Sequence, residues 1–498
     1  MATIIKNGLV YDGSGDAPVK TDVVIQEGQI ARIGNFSNAK ADKVIDATGA
    51  IVTPGFIDVN TYTDQYGTLF SEPHQTPFIK EGITTVIGGN CGESLAPFAR
   101  PALDFSAHWK GVETNKDWDS MGRFFHALKK KKLGVNFGTL VGYTTIRRVV
   151  LGDGRRDFTD AEFKTSLRMV EQALDEGALG ISFDFEHTSA RHVPLYEVEA
   201  LATLAERRQK VFAVHLRYEG EHLEKGIQDV LAIAKKTGAN IEISHFAPRT
   251  RGLAVYRKGR EMFENEAGEM HVHFDCPPFP WNTVPASSFL PDWAEEGDPK
   301  TVLERLTELH ILKRIRPHLD RLDSDRIVVA AVPSPLSRFA GKTLTELAET
   351  FHVNSGEALL KLISLSGLKA MCFHRVIDEK ELTKFLTSPI SLITSGSPGI
   401  SDEYHNDTLR IPFLSSVKER LEENPEFFLE KIIAKLTALP AQKYGIAKRG
   451  KIKETYYADI IVFRDLHPFE IFLNGIQVLE KGELCGRSGG RALPAQRL

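Results

Sequence analysis

Eight apolar runs, each closed by glycine or a polar tip, constrain this chain more than any other feature of its sequence. They are Ile51–Asn60, Ile83–Cys91, Leu133–Gly142, Ala178–Asp184, Lys210–His215, Ala239–His245, Met270–Cys276 and Ile390–Gly396. Between most of them lie stretches such as 160–176, 195–208 and 220–237, in which apolar residues recur at helical spacing. Short apolar runs alternating with helices read as parallel strands with crossover helices, because a parallel sheet has to be covered on both faces. Eight such units predict an α/β fold of the (β/α)8 barrel type. Two connections, 93–132 and 277–389, exceed the usual unit. The second contains helical segments of its own (298–314 and 356–365), which predicts a lid or subdomain over the barrel mouth or side.

The two ends have a different texture. Thr3–Val10 and Asp22–Ile25 are β-branched runs around the turn-rich Asp12–Asp16, and Ala458–Phe463 and Gly475–Leu484 repeat that pattern. Neither end could bury its strands alone, so residues 1–50 and 450–498 are expected to form one small β-sandwich-like domain, with the barrel (51–449) inserted between them. A chain of 498 residues with 42% hydrophobic content supports both bodies.

A net charge of −4 and a pI near 6.5 give no reason to expect a nucleic-acid partner. The run Lys129–Lys132 reads as a solvated helix end. No segment approaches the ~20 apolar residues of a membrane span, and the start of the chain breaks its apolar run with Lys6. Cys91, Cys276, Cys372 and Cys485 are too scattered for a disulfide framework. A cytoplasmic protein without a membrane partner is expected.

Working residues of such a barrel sit at the carboxyl ends of its strands, and three zinc-ligand types fall there: Cys91, His215 and His245. The two histidines are 30 residues apart, close to one βα repeat, so they should end adjacent strands. A lone Cys or His is usually a core or satisfied polar residue, but three at strand ends form a plausible thiolate–imidazole–imidazole zinc site with one open position. His271 and His273 alternate onto one strand face, with spacing alone to suggest ligation. No phosphate loop or nucleophile elbow is present.

Gly82–Gly92, His215-Leu216-Arg217-Tyr218-Glu219, Ile243-Ser244-His245, Leu290–Trp293, Gly341–Leu344 and Gly486–Leu493 resemble the N-acyl-D-amino-acid deacylase branch of the amidohydrolases over nearly the whole chain. The resemblance implies that Cys91, His215 and His245 hold a tightly bound Zn2+ and that Arg217 and Glu219 orient the site or substrate. An ordinary ion pair is an equal reading of those last two. Several positions depart from the family pattern. Asn60 and Tyr62 stand where a His-x-His pair would serve a second metal, Tyr143 replaces a histidine, and Ala247 replaces a lysine. Gly396 stands in Ser395-Gly396-Ser397 where the family has its proton-transferring aspartate.

A substitute base is sought among Asp64, Asp184, Glu186, Asp275 and Asp402, of which Asp275, closing the seventh run, is the best placed, although it could equally fix the following proline turn. Arg147, Tyr143 and Tyr62 are the candidate substrate-binding residues. The expectation is one zinc per chain and hydrolysis of a non-peptide amide bond in a small molecule such as an N-acylated amino acid. The alternative is a catalytically inactive homologue that binds zinc or a ligand. Oligomeric state is not legible.

Overall fold

The computed structural model describes residues 2–36, 40–97, 118–152, 156–185, 193–216, 223–268, 270–295, 299–333, 335–399, 413–423 and 428–495. Strands β1 (Ala2–Val10), β2 (Val19–Gln26), β3 (Gln29–Gly34), β4 (Lys43–Asp46) and β5 (Ile51–Pro54) open the chain. β1 pairs antiparallel with β2 and parallel with β4 and β5. The first apolar run of the sequence therefore divides. Ile51–Pro54 joins the terminal sheet, and only β6 (Phe56–Asp58) enters the barrel. The division falls at Gly55, where a Cβ would lie 2.1 Å from Thr84 Oγ1, so the crossing strands leave no room for a side chain.

Barrel strands follow as β7 (Ile83–Gly88), β8 (Asn136–Thr139), β9 (Val141–Gly142), β10 (Gly180–Asp184), β11 (Val211–His215), β12 (Asn240–Ile243) and β13 (Val272–Cys276). β6, β7 and β8 form one parallel ladder, and β9 to β13 form another. Only Leu140 separates β8 from β9, so one strand carries the wall from ladder to ladder. The strands are buried almost without interruption, as double-sided cover requires. Ile57, Val59, Ile87, Leu140, Val211 and Leu392 fill the interior, which Tyr444 and Ala441 also enter.

The long connection after β13 builds a subdomain of β14 (Asn282–Pro285), β15 (Ile327–Ala331) and β16 (Met371–His374) in an antiparallel sheet, with helices around it. It has its own core, including Phe289, Ile315, Val329, Leu347 and Leu359. Its roots are tied to the loop after β12: Thr250 N–H donates to Val376 O at 2.8 Å and Asp378 N–H to Pro248 O at 2.7 Å.

The chain then returns to the barrel as β17 (Ser391–Ile393), parallel to β13. The last seam, between β17 and β6, is closed through a side chain: Thr394 Oγ1 and Ser395 N–H both donate to the Asp58 carboxylate. Strands β18 (Ile460–Arg464), β19 (His467–Leu473), β20 (Ile476–Glu480) and β21 (Glu483–Leu484) rejoin the opening strands. β18 pairs with β5, which makes one nine-stranded sheet from both ends of the chain. Val23, Ile25, Ile30, Val52, Ile460 and Phe472 pack into its core. Among the described residues no helix is long and apolar enough to cross a membrane.

Candidate active site

Cys91 lies three residues past β7 with φ +51°, and His245 two residues past β12 with φ +55°; His215 is the last residue of β11. Left-handed backbone on non-glycine residues costs about 1–3 kcal/mol and survives only where the surroundings enforce it. At His245 the enforcing group is Asp275, whose Oδ1 accepts the His245 N–H at 3.1 Å. The three side chains gather at the barrel mouth. Cys91 is hydrogen-bonded to His215, the His215 and His245 rings lie 6.0 Å apart between centroids, and the Tyr62 hydroxyl sits between Cys91 Sγ, at 3.6 Å, and Nε2 of His245, to which it is hydrogen-bonded. Burial pushes the Cys91 thiol up, and the adjacent His215 opposes that rise.

Among the described residues no three His, Cys, Asp or Glu side chains close round one point, and the Tyr62 phenol stands between Cys91 and His245. The donor chemistry nevertheless fits a single metal: one thiol, two imidazoles, and behind His245 a carboxylate 3.8 Å from Nδ1 that leaves Nε2 turned to the mouth. Asn60 is wholly buried and donates Nδ2–H to Asp275 Oδ2 at 2.9 Å.

Asp275, expected as the substitute base, does not line the cleft. Its carboxyl is fully buried behind His245, and burial pushes its pKa up to about 7 against the hydrogen bonds from Asn60 and the His245 backbone. The geometry makes it an orienting group. Asp64 likewise serves the scaffold, accepting Gly89 N–H at 2.8 Å and so holding the loop that carries Cys91. Asp184, at the end of β10, is close enough to raise the Cys91 thiol but is not among the cleft-lining residues. Arg217, Glu219, Glu186 and Asp402 lie outside the described residues. His273 belongs to the other end of its strand, 3.2 Å from Lys443 Nζ, and His271 is exposed on that side.

Arg147 and Tyr143, expected as substrate contacts, are not among the described residues that line the cleft. Arg147 Nη1 meets Glu197 Oε2 at 2.7 Å, and Tyr143 OH donates to the same oxygen at 2.8 Å. All three are buried, with Arg147 also stacked over Phe158, so a structural ion pair consumes them. Of the three expected substrate contacts only Tyr62 reaches the cleft.

That cleft, about 150 Å³, lies between the barrel mouth and the root of the subdomain. Tyr62, His215, His245 and Thr394–Gly396 form its barrel side. Pro277, Phe279, Trp281 and Val284 form an apolar wall opposite, in which the Phe279 and Trp281 rings stack at 5.1 Å. No carboxylate is among the described residues lining it, and Arg249 contributes a cation. Sequence reading missed Arg249, Phe279 and Trp281. The available signal was position: Arg249 follows His245 by four residues on the same loop, and the two aromatics follow the end of β13.

No protein-family model matches the chain. Over 471 residues it is 27% identical to the N-acyl-D-aspartate deacylase of Alcaligenes xylosoxydans xylosoxydans, covering 92% of this chain and 85% of that one. A D-aminoacylase of the same organism is 26% identical, with 98% and 97% covered. Over nearly its whole length the chain is similar to D-aminoacylases and N-acyl-D-amino-acid deacylases. The amidohydrolase fold recurs in solved structures. An N-acyl-D-glutamate deacylase from Bordetella bronchiseptica, complexed with zinc and a phosphonate inhibitor, superposes with a TM-score of 0.80 at 24% identity over 99% of each chain. A D-aminoacylase gives 0.77 at 24% identity over the same share, and an L-hydantoinase (dihydropyrimidinase) of Arthrobacter aurescens 0.57 at 14%.

Proposed function

We propose that this protein is an amidohydrolase, a zinc-dependent hydrolase of non-peptide carbon–nitrogen bonds acting on N-acylated amino acids with one zinc per chain. The observation that carries the reading is the gathering of Cys91 with His215 and His245, the two histidines lining a cleft that also holds Arg249. Full-length relatives that are N-acyl-D-amino-acid deacylases support it. Zinc on this thiolate and these two imidazoles would supply a Lewis acid for the amide carbonyl and for water.

The remaining work falls to the chain itself. Arg249 is suited to hold the substrate carboxylate, since a guanidinium offers paired N–H donors to a carboxylate. Phe279 and Trp281 exclude water from one flank and offer an apolar surface to the acyl or side-chain group. Asp275 fixes His245 from behind. With Gly396 in place of an aspartate and no carboxylate among the described residues lining the cleft, proton transfer lacks its usual carrier, so turnover is slow.

The test is amine release from a panel of N-acetyl amino acids of both configurations, with zinc-loaded and chelator-stripped protein. Slow, zinc-dependent release is expected, with kcat/KM lowered roughly 10–100-fold by Arg249→Met, the scale of a lost charge-assisted hydrogen bond. Zinc-loaded, folded protein that releases no amine from any member would favour the non-catalytic alternative.

A further inference from the structure

We propose that the barrel interior encloses a second polar site, a water-binding site built on the Glu242 carboxyl group. It does not depend on the metal reading above. Glu242 alternates along β12 with Ile241 and Ile243, which pack into the core shared with the surrounding helices, so its own side chain points into the barrel. It is wholly buried, and neither carboxyl oxygen has a hydrogen-bond partner among the described residues. The neighbouring cation is already spent. Lys443 Nζ donates to Ile241 O at 2.6 Å and to His271 O at 3.0 Å and lies 3.2 Å from His273 Nδ1, which accounts for all three of its N–H groups.

A buried carboxyl group without a partner bears its full desolvation cost, and enclosed water is how protein interiors meet that demand. The surroundings suit it. In register beside Glu242 stand Ala213 of β11, a small side chain, and His273 of β13. The Tyr444 ring enters the same interior, where burial first and then Glu242, Asp275 and Asp58 raise its phenol, so its hydroxyl offers enclosed water a further partner. The titratable groups facing Glu242 are thus Lys443, His273, Tyr444, Asp275 and Asp58. Burial pushes the Glu242 carboxyl well above the usual carboxylate range, opposed by Lys443 and reinforced by Asp275. The group is a neutral acid whose O–H donates to the water it holds.

The test pairs a high-resolution crystal structure of the full-length protein with urea unfolding of wild type and Glu242→Gln from pH 5 to pH 7. Ordered water within hydrogen-bond reach of Glu242 is expected, and glutamine should retain it, since the amide donates and accepts as the neutral acid does. An acid whose folded pKa lies above its unfolded value of about 4 keeps a proton that the unfolded chain releases. The wild-type folding constant should therefore fall about tenfold per pH unit, relative to Glu242→Gln, as pH rises through that window. A direct Glu242–Lys443 ion pair without water, or parallel pH profiles for the two proteins, would overturn the proposal. If Glu242→Gln fails to fold, the wild-type crystal structure decides: water bonded to Glu242 supports the site, and a carboxyl group without it overturns it.

Discussion

Arg147 Nη1 and Glu197 Oε2 meet at 2.7 Å with both side chains shut off from water. Removing one partner of a buried pair leaves an uncompensated charge, at a cost of about 3–5 kcal/mol. Glu197→Gln should therefore lower the unfolding free energy by a few kcal/mol in urea, while kcat/KM of the protein that stays folded is unchanged. A selective rise in KM with unaltered stability would return Arg147 to the substrate site.

Gly396 has φ +58°, and a Cβ built there stands 3.9 Å from His245 Cε1, an ordinary contact. Aspartate tolerates this backbone region better than most residues, so Gly396→Asp puts a carboxylate at the cleft without a clash. Its expected effect is a gain in amide hydrolysis of at least tenfold, within the ~10²–10⁴-fold range of a general acid–base residue. Asn60→His should give no gain, because position 60 is wholly buried and its amide is spent on Asp275. Equal gains from both substitutions would show that the missing proton carrier is not what limits this site.

Asp58 joins β17 to β6, and burial, opposed by the hydrogen bonds from Thr394 and Ser395, pushes its pKa up to about 6. An acid whose folded pKa exceeds its unfolded value of about 4 binds protons more tightly when folded, so its contribution to stability declines as pH rises from about 4 to about 6. Asp58→Asn removes that slope. Relative to wild type, the variant's urea midpoint should improve between pH 4 and pH 7, by on the order of 2–3 kcal/mol in stability. Parallel pH profiles for the two proteins would contradict the assignment.

The barrel was legible because each parallel strand must be apolar on both faces, which turns it into a run that a sequence displays. The terminal sheet was legible in outline, yet the change of sheet at Gly55 was not, since the crowding comes from Thr84, a residue 29 positions away in sequence. Cys91, His215 and His245 could be read from their strand ends. The burial of Asp275 and Arg147 was not legible, because sequence shows a charge but not the buried partners, Asn60 and Glu197, that absorb it. Arg249 escaped notice because its value depends on the subdomain root folding back over the loop after β12, a long-range arrangement without local signature.

Zinc content per chain, measured by elemental analysis of exhaustively dialysed wild type and Cys91→Ala, tests the central claim most directly. One zinc in the wild type and close to none in the variant is predicted, since the thiolate is one of three strong donors among the described residues at the mouth. Two zinc ions per wild-type chain, or a full zinc retained by Cys91→Ala, would contradict it.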